Sequence, residues 1–489
     1  MSRPLTRATR AGVAAGLVLC LAAVPAQAAV GVRTDTPSPD TAAVADADPR
    51  AVSTPVEDDY YPAKGDPTVD ALHYDLDLTW MRRSRQLRGV ATIVLRTTRP
   101  DDVLRLDLSR RLEVGSVRVD GARTAFTHRG HHLDVAGPVG SDERHTLRVA
   151  YRGTPGPVRG PASRDDIARV GMRVTEDGQL WTMQQPFGAF TWYPVNDHPS
   201  DKAMYDVRVS APGRWVGVSN GRLASRRTAD GRTVTRWTNR DPMSPYLVTL
   251  AVGPYRAHRQ TGPHDLPLTY WVPRGRPELV EPLRRTPAAL RWLEPRLGRY
   301  PFEQLGIVVT PGGSAMETQT MVTFGRRNFG QGRFHVRSVI VHELAHHWWG
   351  DAVTPTQWRD LWMSEGMATY LHSRWEADHS GRVDTAWRWA TREWADADPW
   401  YRQAYGPPGA YFPDEFASDN VYWSVALMWD RVRRRVGDDV FHRLVRAWPR
   451  SHRYRNASRD ELVDWWQERS GVRLKPLVDR WLDSPASPA

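Results

Sequence analysis

The chain has 489 residues, 40% of them hydrophobic and 25% charged, with a formal net charge of +11. That length supports two or three domains, each with its own core. The positive charge is almost all arginine (only Lys64, Lys202 and Lys475 are lysines), spread along the chain without a dense basic tract, which argues against nucleic-acid binding. A single cysteine, Cys20, excludes a disulfide framework.

The N-terminus reads as a cleaved secretory signal over residues 1–28. Arg3, Arg7 and Arg10 form a positive start, Ala11 to Val24 an apolar stretch, and Ala26-Gln27-Ala28 a small-x-small cleavage site. The apolar run is short for a membrane span. A secreted protein with no membrane segment after cleavage is therefore expected. Cys20 would leave with the signal, and bulky Leu19 before it speaks against a lipid anchor. The mature chain would hold no cysteine and a formal charge of +8 once the three arginines are gone. Residues 29–65, rich in Ala, Pro, Asp and Thr with no apolar period, are expected to be a disordered leader.

From Leu72 the pattern alternates, with Leu72, Tyr74, Leu76 and Leu78 separated by polar residues, as a half-buried strand requires. Further strands are predicted at 90–95, 103–108, 147–151, 203–209 and 246–252, and a hairpin over 224–237 turning at Asp230-Gly231. These short strands place a β-sheet domain over residues 66–256. Beyond it the character changes. Helical periodicity spans Leu279–Leu297, a strand follows at Leu305–Val309, and the stretch from Asn420 onward is mostly helical, with Trp465, Trp466, Leu477 and Trp481 as core candidates. Residues 257–485 are assigned to a second, α/β domain, giving an α+β multidomain fold.

Within that second domain stands Val341-His342-Glu343-Leu344-Ala345-His346-His347-Trp348-Trp349-Gly350-Asp351. On a helix His342 and His346 share one face and can grip one Zn²⁺ through their imidazoles. Glu343 sits beside the first ligand, where its carboxylate can act on a water without binding the ion itself. Glu365, nineteen residues after His346, opens a second helix over about 364–378 and supplies a third ligand. With no cysteine available, one zinc per chain held by two nitrogens and an oxygen, with one position open, is the equipment of a zinc peptidase. The helix reading is supported by the stripe Val336, Val339, Ile340 and Leu344, and by Gly350, placed where a helix end favours a left-handed residue. His347 points about 100° away from His346. It is expected to pack or hydrogen-bond between the two ligand helices, and Trp348, Trp349, Trp358 and Trp362 to pack around the site.

These blocks resemble the aminopeptidase N-type zinc peptidase family over roughly residues 66–485. The zinc block, the Trp358–Asp360 connection, the third-ligand block 362–370 and the turn running from Trp192 to Ala203 all look like that family's. The resemblance implies a β-sheet domain of the family's saddle-like type, followed by a thermolysin-like catalytic domain. It also implies cleavage of peptides with a free N-terminus. The family's Gly-Ala-Met-Glu-Asn loop appears as Ser314-Ala315-Met316-Glu317-Thr318, so Glu317 is the candidate partner of the substrate's α-ammonium, while Thr318 departs from the pattern. The physical logic stands apart from the family: a buried anion at fixed distance from the metal lets an exopeptidase count from the N-terminus. Gln185 aligns with the family's glutamine near the amine, with Gln184 an adjacent competitor. Tyr422 falls where the family places the tyrosine that stabilises the oxyanion. The family's long C-terminal helical domain has no counterpart before the chain stops, which implies a more open cleft. An endopeptidase of the same zinc chemistry is the nearest alternative. A non-catalytic adhesion module would be favoured only if a motif residue were missing. Substrate side-chain preference and oligomeric state are not legible.

Overall fold

The computed structural model describes residues 49–488; the expected signal and the first part of the leader lie outside the described residues. The main sheet has eight strands. Its centre is Val69–Met81, antiparallel to Gln86–Thr97 on one side and parallel to Ala203–Pro212 on the other. Leu76, Leu78 and Trp80 are buried while Asp77 is exposed, the alternation of a strand with one wet face. The hairpin Arg222–Ala229/Arg232–Met243 closes one side, turning at Asp230 (φ 51°) and Gly231 (φ 69°). Two consecutive positive φ values are what a tight two-residue hairpin needs to follow the strand twist.

A five-stranded sheet packs beside it, from Val216–Ser219 through Leu250–Gly253, Leu180–Met183 and Arg169–Val174 to Val158–Arg159. The predicted strand over 246–252 is only half strand. Pro245–Leu247 is a 3-10 turn, because Pro245 has no N–H for a ladder, and pairing starts at Leu250.

The leader expected to be disordered is ordered where the structure describes it. Ala51 is fully buried in a small cluster with Leu72, Val94 and Met204, on the face of the main sheet opposite the larger core. Asp58 accepts the N–H groups of Tyr60, Tyr61 and Trp358. The segment is a strap, held by a few buried anchors that composition alone does not reveal.

The second half is built on a mixed sheet. Pro267–Pro273, Leu305–Thr310 and Met321–Gly325 run parallel, and the two-residue strand Ala315–Met316 pairs antiparallel on the edge. Helices Arg333–His346, Trp362–Asp378, Val383–Tyr405, Val425–Val436, Asp438–Ser451, Arg459–Ser470 and Lys475–Asp483 follow. The helical stretch predicted over 279–297 is broken into Val280–Leu283 and Thr286–Leu297. In the last helix Val478, Trp481 and Leu482 face inward, with Leu474 just before it, and Leu477 is only half-buried, one position off the core stripe.

Candidate active site

Two helices carry the candidate metal ligands. Arg333–His346 presents His342 and His346 one turn apart, and Trp362–Asp378 presents Glu365 in its first turn. Gly350 is not the residue that ends the first helix, as its position suggested. The helix stops at His346, and Gly350, at φ 144°, turns the chain so that the Asp351 N–H returns to the His346 carbonyl at 2.9 Å. Gly366 lets the helix Val425–Val436 approach closely, since a Cβ there would lie 2.2 Å from a Val425 methyl. That approach brings the Asn420–Ser424 turn, a single π-helical turn bearing Tyr422, against the ligands.

His342 Nε2 and His346 Nε2 are 3.1 Å apart, and they lie 3.4 and 3.2 Å from Glu365 Oε2. An ion bound at 2.0–2.1 Å to tetrahedral N and O ligands needs ligand–ligand edges of about 3.3 Å. The triangle fits Zn²⁺. Glu365 Oε2 is buried and faces only the His342 and His346 imidazoles, an arrangement a cation shared by all three satisfies. Burial opposes charge on His346, yet the nearby carboxylates of Glu365 and Glu317 prevail and push it up to about 10. The cluster calls for positive charge.

Outer partners fix the rings. His346 Nδ1 donates to the Trp349 carbonyl at 3.2 Å, so Nε2 is the nitrogen that faces the ligand centre and would bind an ion once its proton leaves. His342 Nδ1 meets His372 Nδ1 at 2.9 Å. Burial holds His372 well below 6.5, so that ring is neutral and can accept the proton. Sequence reasoning missed His372. The available signal was its spacing: seven residues after Glu365 on one helix, it returns to the same face.

Glu343 is largely buried and lines the cleft beside the histidines. Burial first, then Glu317 and Glu365, push it well above 4.5. Glu317 follows the edge strand and is 3% exposed; burial drives its carboxyl up to about 7. Gln185 Nε2 donates to Glu317 Oε1 at 3.1 Å. Gln184 turns away, donating to the Pro245 and Val248 carbonyls and accepting from Trp192 Nε1. The geometry thus separates the two glutamines. Thr318 faces the sheet, its hydroxyl bonded to the Met321 carbonyl and the Thr323 hydroxyl, so it holds the loop rather than the cleft.

The Tyr422 ring stacks on His342 at 6.1 Å and 28°. Arg164 Nη1 donates to its hydroxyl at 3.3 Å. A cleft of about 570 Å³ opens beside these groups, lined by Arg164, His342, Glu343, His372, Tyr422 and Trp423 among others. Arg164 was also missed, and nothing in the sequence marks it. His347 does not bridge the ligand helices: its Nδ1 meets the Tyr300 hydroxyl at 2.7 Å, from the turn before the central strand. Trp348, Trp349, Trp358 and Trp362 are all buried packing residues.

Residues 70–247 match the model of the peptidase M1 N-terminal domain, and residues 283–481 match that of the peptidase family M1 domain. The chain belongs to peptidase family M1. It is 26% identical over 456 residues to aminopeptidase N of Streptomyces lividans, covering 85% of this chain and 50% of that protein. Glutamyl aminopeptidase of Rattus norvegicus is 30% identical over 214 residues, 40% of this chain and 23% of that one. The chain spans about half the length, or less, of these curated relatives. The M1 zinc metallopeptidase of Deinococcus radiodurans superposes with a TM-score of 0.77 at 27% identity, covering 89% of this chain and 99% of that one. A variant of that protein, with the same TM-score, identity and coverage, is described as bound to a Tyr-Ser-Ala substrate.

Proposed function

We propose that this M1 protein is a zinc-dependent aminopeptidase that removes N-terminal residues from peptides. The observation that carries the reading is Glu317, a buried carboxylate held by Gln185 and near enough to His346 and Glu365 to feel their charges. Burying that charge without a cationic partner is costly, and a substrate α-ammonium would supply one. His342, His346 and Glu365 would hold the metal. Bound Zn²⁺ supplies Lewis-acid polarisation of the scissile carbonyl and makes water more acidic.

The chain's own residues do the rest. Glu317 accepts the ammonium and sets the register, so that the first peptide bond lies over Glu343. Glu343 takes the proton of the attacking water and delivers it to the leaving amine. The Tyr422 hydroxyl donates to the oxygen that becomes negative as the carbonyl is attacked. The division into a β-sheet domain over 66–256 and a catalytic domain over 257–485 is supported by strand membership: Leu250–Gly253 belongs to the five-stranded sheet and Tyr255–Thr261 to the mixed one.

Secretion through the signal at residues 1–28 is part of the same proposal. No helix among the described residues is long and apolar enough to cross a membrane. The deciding experiment compares a peptide with a free N-terminus and its N-acetylated form, with and without a strong chelator. Metal-dependent cleavage of the free peptide alone is expected. Equal rates on both forms would instead support an endopeptidase.

A further inference from the structure

Arg164 lies between the strands Val158–Arg159 and Arg169–Val174, in the β-sheet half of the chain and 258 positions before Tyr422. Its guanidinium still reaches the wall of the cleft. Nη1 donates to the Ala417 carbonyl at 2.7 Å and to the Tyr422 hydroxyl at 3.3 Å. Nε and Nη2 fork onto Asp166 at 3.2 and 2.9 Å. Asp166 Oδ2 also accepts the Ser314 hydroxyl at 2.6 Å, and Ser314 opens the loop that carries Glu317. One planar group therefore connects the tyrosine turn, the β-sheet half and the amine-side loop.

A salt bridge that served only to tether the loop would be complete with Asp166 and Ala417. The contact with Tyr422 adds something specific. A guanidinium has donors and no acceptor, so the phenol oxygen must accept, and the hydroxyl proton is left free for another partner. Accepting a charged donor also polarises the O–H group and makes it a better donor itself. We infer that Arg164, locked by Asp166, is a positioning residue for Tyr422: it holds the phenol oxygen in place and leaves its proton to meet the developing oxyanion. This rests on the proposed peptidase chemistry for its consequence, though not for its geometry.

The test is a double-mutant cycle on an aminoacyl-amide substrate with Arg164→Met, Tyr422→Phe and the pair, alongside zinc content and the crystal structure of Arg164→Met. Misplacing a donor by about an ångström costs on the order of 100-fold, so Arg164→Met should lower kcat about 10- to 100-fold. KM should stay within about threefold if the interaction matters mainly in the transition state. Arg164→Lys should fail in the same way, because one ammonium cannot span Asp166, Ala417 and Tyr422. In the Tyr422→Phe background the Arg164→Met loss should shrink to under about twofold, the signature of two residues acting as one. The crystal structure should show the Tyr422 hydroxyl displaced with zinc content unchanged. Losses that multiply, or full activity with an unmoved Tyr422, would overturn the inference. A wild type that cleaves no aminoacyl amide would sink the aminopeptidase reading instead, and the position of Tyr422 in Arg164→Met would then decide this one.

Discussion

Replacing Glu317 by glutamine should weaken catalysis and strengthen the fold at once. The side chain keeps its shape and its place beside Gln185, but loses the charge that a substrate ammonium would meet. A charge-assisted hydrogen bond of about 1.5–3 kcal/mol corresponds to a kcat/KM loss of roughly 10- to 150-fold on free-amine substrates. Stability moves the other way. The carboxyl titrates at 4.5 when exposed and at about 7 in the fold, because burial disfavours its charge. Between those values the folded protein holds a proton that the unfolded chain has released, so the contribution of Glu317 to stability falls as pH rises from 4.5 to about 7. A displacement of that size corresponds to about 3 kcal/mol. Metal-stripped Glu317→Gln should therefore match wild type near pH 4.5 and exceed it by up to that amount at pH 8, in urea denaturation followed by tryptophan fluorescence. A variant less stable than wild type at pH 8, or one that cleaves free-amine peptides at the wild-type rate, would refute the anchor assignment.

Glu343→Gln should retain about one zinc per chain by elemental analysis while losing roughly 10²- to 10⁴-fold in kcat, the scale of removing a general base; zinc lost along with activity would assign Glu343 a structural role. Chelation should abolish cleavage and lower the melting temperature, because the folded ligand set binds the ion and the unfolded chain does not. Asp58→Ala should cost about 1–3 kcal/mol in denaturant unfolding, since the buried Trp358 N–H, 2.8 Å from that carboxylate, loses its acceptor. An unchanged midpoint would mean that the strap adds nothing to the fold.

Local periodicity made much of this protein legible. The spacing of His342 and His346 places both on one helix face whatever surrounds them, and the absence of any cysteine after Cys20 leaves nitrogen and oxygen as ligands. Alternation placed the strand around Tyr74–Leu78, with a bulge between Ala71 and His73 turning Leu72 to the other face, and Asp230-Gly231 placed the hairpin turn, because pleat and turn chemistry depend on adjacent residues. The convergence of Glu365 and Tyr422 on the histidines depends instead on helices meeting at Gly366, and the choice of Gln185 over Gln184 on which face of one strand end looks toward Glu317. The strap at 49–65 reads as disordered because few of its residues are apolar; Ala51 and Asp58 order it only once the sheet and Trp358 are there to receive them. Arg164 is the extreme case. It reaches Tyr422 across 258 positions, and it was one arginine among many until the fold brought its guanidinium to the phenol oxygen.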